Sequence, residues 1–128
     1  MLVKMVKKIN LIVATLYSIS LVLFETIMNS YWKDWEFYPL WLIDYLIAII
    51  LIFAVFFFKK NNQNLMLLIG WSLSIGTTYM ALFVSLDPNG LNSADIESKL
   101  PFFVLAILIS IFGFVLTIFD IKNLKKNN

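Results

Sequence analysis

Four long apolar stretches, separated by short polar ones, set the pattern of this chain. They cover approximately 9–31, 39–58, 64–86 and 101–121, and about 20 mostly apolar residues suffice for a helix to cross a hydrocarbon layer about 30 Å thick. Apolar residues run continuously through these stretches rather than alternating with polar ones, which excludes the pattern of a membrane β-barrel. Open strands in lipid would leave unpaired backbone groups costing several kcal/mol each, so helices remain. The expectation is an all-α integral membrane protein: one domain over 1–128, with four transmembrane helices in an up-down-up-down bundle and a solvated tail at 122–128. Pro39 and Pro101 fit the first turns of the second and fourth helices, where a missing N–H costs nothing. The first stretch is longer than the apolar region of a signal peptide and carries Glu25, so it reads as a retained helix.

Charge gives the orientation. Lys4, Lys7 and Lys8 precede the first stretch, Lys59 and Lys60 join the second to the third, and Lys122, Lys125 and Lys126 follow the fourth. Lysine accumulates on the cytoplasmic side, so both termini and the middle connection are expected there in a multi-pass cell-membrane protein. The other two connections hold one Lys each, Lys33 and Lys99, among Asp34, Glu36, Asp87, Asp95 and Glu97, and face outward. Tyr31, Trp32, Trp35, Phe37, Tyr38 and Trp41 suit the headgroup layer. Asp87-Pro88-Asn89-Gly90 is a turn signal, with Asn92 and Ser93 as caps for a short surface helix through Lys99.

Composition narrows the chemistry. The chain is 61% hydrophobic and 14% charged, with no Cys and no His. Disulfides, thiolate nucleophiles, imidazole bases and most transition-metal sites are thereby closed. A net charge of +2 gives no footprint for nucleic acid. No catalytic set, cofactor or metal site is expected; the partner of first resort is the lipid bilayer.

Two ionisable residues lie inside the apolar stretches, Glu25 and Asp44. At a rise of 1.5 Å per residue they sit roughly 9 Å and roughly 8 Å below the outer ends of consecutive helices, hence at similar depth. Facing each other, they could share a proton or bind a cation. The plainer alternative is that each reaches water near the interface, with Asp44 favoured by its helix N-terminus. Thr15, Ser18, Glu25 and Asn29 form a polar stripe on the first helix, and Thr77, Thr78 and Tyr79 lie at the same level on the third. The ligand or proton-binding candidates are therefore Glu25, Asp44, Asn29, Ser18, Thr78 and Tyr79. Asp120, beside the terminal Lys cluster, reads as an interfacial charge.

Small residues recur at three- and four-residue spacing as Gly70, Ser74, Thr77 and Ala81, and as Ala106, Ser110, Gly113 and Thr117. Such faces let helices approach closely, within the bundle, with a second copy in a homo-oligomer, or with a membrane partner protein. Four helices with a Glu in the first resemble the small multidrug resistance transporters in outline, but Glu25 lies near the outer end rather than at mid-membrane. Quinone-linked thiol oxidoreductases of four helices need Cys pairs. No family is assigned. Two functions stay open: a non-enzymatic accessory or structural component acting through helix packing, or a carrier or channel-like protein binding a proton, cation or cationic solute at the carboxylates.

Overall fold

The computed structural model describes residues 1–32, 38–87 and 96–126, with side chains described for 1–30, 41–87 and 99–126. These residues form the helices α1 (Leu2–Trp32), α2 (Tyr38–Phe56), α3 (Lys60–Leu86) and α4 (Ile96–Lys126). Among the described residues, three helical stretches are long and apolar enough to cross a membrane: Leu2–Ser30, Lys60–Leu86 and Lys99–Lys126. The apolar part of α2, Trp41–Phe56, is shorter.

Helices overrun the boundaries that hydropathy marks. α1 takes in Lys4, Lys7 and Lys8, and α4 continues to Lys126 through the segment expected as a tail. Lysine is a good helix former, and Lys125 and Lys126 in the last turn of α4 complement its negative end. An apolar run marks the part of a helix that suits lipid, not the point where backbone pairing stops. Pro101 accordingly sits inside α4 rather than in its first turn, and the expected surface helix through Lys99 is continuous with the fourth span. Trp35, Phe37, Asn92, Ser93 and the turn residues after Asp87 lie outside the described residues. Asp87 itself ends α3, its N–H donating to the Phe83 carbonyl at 3.1 Å.

The connection from α2 to α3 is short and tightly pinned. Phe57 N–H closes on the Phe53 carbonyl at 2.9 Å. The buried Gln63 side chain donates from Nε2 to the carbonyls of Ala54 (3.0 Å) and Val55 (3.2 Å), which the end of α2 would otherwise leave open. Lys60 turns the chain with φ 53°, in the left-handed region. That conformation costs a non-glycine residue about 1–2 kcal/mol, and glycine's extra freedom in the unfolded chain offsets only about 0.5–1 kcal/mol of the gain. Lys60→Gly is therefore expected to raise stability by about 0.5–1 kcal/mol, whereas Lys60→Val lowers it. Thermal unfolding in detergent checks both; equal midpoints would show that the turn is unstrained.

α1 packs on α2 and α4, and α3 packs on the same two helices. The core holds Ala14, Tyr17, Ile47, Leu51, Ala54, Leu67 and Trp71. Asn10, Asn29, Asn64, Ser74, Ser110 and Thr117 are as buried as that core, while Leu16, Leu23, Leu108 and Val115 are more than half exposed. Polar groups inside and aliphatic side chains outside suit a lipid solvent, since buried groups must pair with one another and tails cover the rest. Small residues set the spacing: a Cβ at Gly70 would stand 2.6 Å from Leu51 Cδ2 of α2, and one at Gly113 would fall on the Trp71 indole of α3. Nothing lies within 4 Å of a Cβ built at Gly76.

Candidate functional site

Glu25 and Asp44 meet. The Asp44 carboxyl lies within hydrogen-bonding reach of that of Glu25, between α1 and α2. The next residue on each helix locks the alignment, with Thr26 Oγ1 and Tyr45 Oη 2.8 Å apart. Asn29, one turn along α1, donates from Nδ2 to Glu25 Oε2 at 3.5 Å, the long end of hydrogen-bond range. Asp44 is the seventh residue of α2, beyond the first turn. The helix dipole acts chiefly within that turn and does not account for an acid there. Two carboxyls this close share a site that a proton or a cation between them would stabilise, since two bare negative charges repel. Its donor set is all oxygen, suited to a proton or hard cation rather than a soft transition metal.

The pair opens into a cavity of about 780 Å³ between α1 and α4. Glu25, Asp44, Thr78, Tyr17 and Ser20 are the polar residues of a wall that is otherwise apolar. Thr78 is buried but spends its hydroxyl on the Ser74 carbonyl (2.7 Å). Ala81 and Ala106 line the same cavity. Ser18 donates to the Ala14 carbonyl (2.7 Å), and Thr15 to that of Leu11 (2.9 Å), each within α1. Tyr79 is exposed, its ring 4.7 Å from that of Phe83, and neither it nor Ser18 lines the cavity. Thr77 is half-buried.

Below the cavity a second polar set joins three helices. Tyr17 Oη and Ser74 Oγ lie 2.6 Å apart, Ser74 and Ser110 hydroxyls 2.7 Å, and Ser110 donates to Tyr17 at 3.3 Å. Three steps further along, Trp71 Nε1 donates to Asn10 Oδ1 (3.3 Å), and Asn10 Nδ2 donates to Thr117 (2.8 Å). In the sequence Ser74, Ser110 and Thr117 read only as small packing residues, Tyr17 reads as an aromatic that could line a pocket or simply pack, and Asn10 carries no assigned role. Their signal was present: Asn10, Ala14 and Tyr17 share one helix face at spacings of four and three.

Asp120, at the level of the lysines, faces inward. It is 3% exposed, and both its oxygens, like both amide atoms of buried Asn64, have no hydrogen-bond partner among the described residues. Stepping from Ser74–Ser110 through Trp71–Gly113 by helical intervals brings Asn64 level with Asp120. Charge patterning alone could not reveal that Asp120 faces inward, because the neighbouring lysines mark only its depth.

Compared with protein-family models, curated proteins and solved structures, the chain matches none.

Proposed function

We propose that this chain is a small carrier or channel-like membrane protein that holds a proton or monovalent cation at the Glu25–Asp44 pair. The observation that carries this reading is the approach of the two carboxyls at the wall of one cavity, with Thr26 and Tyr45 paired beside them. Carboxylates near an interface that merely reached for water would gain nothing by converging, since like charges repel. The surrounding architecture in this reading is a four-helix, up-down-up-down bundle in which α2 also crosses the bilayer. It sits in the cell membrane, with the lysine-rich ends and the α2–α3 turn in the cytoplasm.

Infrared titration of the protein in lipid tests the pair. Replacing Asp44 by Asn is expected to move the Glu25 transition, and Glu25→Gln to move that of Asp44. Two transitions indifferent to each other's replacement would sink the proposal.

An accessory role acting through helix packing keeps one specific support. Ser72 and Gly76 are exposed small residues four apart on α3, a face that suits a partner helix. By contrast Gly70, Ser74, Ser110 and Gly113 already face neighbouring helices of the same chain.

A further inference from the structure

The geometry points to an occupant for the cavity: an amphipathic monocation, with an aliphatic body and an ammonium head, entering sideways from the outer half of the bilayer. This inference rests on the carboxyl-pair reading above and adds a ligand class and a route. A proton alone needs no chamber, whereas about 300–1,000 Å³ is the range of small-molecule sites, and this one measures about 780 Å³.

The walls name the chemistry. Leu16, Leu23 and Ile27 of α1 and Leu105 and Leu108 of α4 line the groove and are 55–61% exposed, so its mouth opens toward lipid tails rather than along the helix axis. Leu23, Ile27, Leu105 and Leu108 lie in the outer halves of their spans under the proposed orientation, with Leu16 near mid-membrane. Inside, Tyr17 and Thr78 are buried and the carboxyl pair stands at the wall. When the pair gives up a proton it leaves a negative charge, which is costly at membrane depth unless a cation pairs with it. A monocation neutralises it; an anionic amphiphile is repelled, and a neutral one leaves the charge unpaired. Tyr17 and Phe24 also put aromatic rings on the lining, which suits an ammonium group. Ser20 is exposed and lines the groove, a small polar residue among larger apolar neighbours. It leaves room where a larger side chain would block entry without disturbing the core.

The experiment is equilibrium binding of radiolabelled dodecyltrimethylammonium to the protein in lipid nanodiscs, with empty nanodiscs subtracted and 1-dodecanol as uncharged competitor. Saturable binding that dodecanol does not displace is expected. Ser20→Trp should weaken it by about tenfold or more while leaving the infrared coupling of Glu25 and Asp44 intact, and Glu25→Gln with Asp44→Asn should weaken it equally. Displacement by dodecanol at equal concentration would make the groove an acyl-chain site and overturn the inference. So would absence of saturable binding, or self-cross-linking of a Ser20→Cys variant that binds no cation, which would assign the groove to a second copy. Ser20-sensitive cation binding with uncoupled carboxyls would support the groove while overturning the shared-proton reading alone.

Discussion

Gly113→Leu is expected to cost about 3 kcal/mol or more, enough to prevent normal folding in a marginally stable membrane domain. The side chain would enter the space of the Trp71 indole, on which even a Cβ at residue 113 would fall. Trp71 has no free direction: it is fully buried, its ring is 5.3 Å from that of Tyr17, and its N–H is bonded to Asn10. Relief requires α3 and α4 to separate, which would break the Ser74–Ser110 hydrogen bond one turn away. Gly76→Ala is the matched control. Its methyl meets nothing, so the gain in helix propensity, up to about 1 kcal/mol, should appear as increased stability. Denaturation in mixed micelles reads both variants. A folded Gly113→Leu protein of wild-type stability would disprove the close α3–α4 approach.

Trp71→Ala is the converse experiment and should cost about 2–4 kcal/mol. For soluble proteins a buried Trp→Ala change costs about 3–5 kcal/mol, but part of that is transfer to water, which shrinks when the alternative environment is lipid. What survives is lost packing around Tyr17 and Gly113, together with an unpartnered Asn10 Oδ1. Trp71→Phe should fall in between, since it keeps a ring but loses the N–H donor. The two sites share a contact and their effects should not add: Gly113→Leu in a Trp71→Ala background is expected to be far milder than in wild type. Strict additivity in the same denaturation assay would mean that residues 71 and 113 do not touch.

The candidate site was legible in part. Glu25 and Asp44 stand out because charges inside apolar stretches are few, and the fixed rise of a helix gives their depths. Depth leaves rotation about the axis undetermined, however, and rotation decides whether two acids face each other or lipid. The same ambiguity covers the other polar residues. Thr78 and Tyr79 are adjacent in sequence and equal in depth, yet one lines the cavity and the other lies exposed against Phe83. Ser18 looks like a site residue and satisfies its own helix backbone instead. Asn10, near the start of the first apolar run, looks like a boundary residue and proves to tie three helices together.

By itself the sequence determined the helical class, the approximate place of each helix and the position of each residue along its axis. Continuous apolar runs predict helices, three of which are long and apolar enough to cross a membrane, and the grouping of lysines at alternate connections supplies the expected orientation. These are properties of composition and axial position, which hydropathy and a constant rise per residue translate directly into physical terms. Tertiary packing decided everything that depends on the azimuth of a side chain. It brought Asp44 to Glu25, spent Gly113 on Trp71, turned Asp120 inward and left a groove between α1 and α4. An apolar helix presents nearly equivalent faces to lipid, so its rotation is chosen only when small residues and hydrogen-bonding groups find counterparts on neighbouring helices.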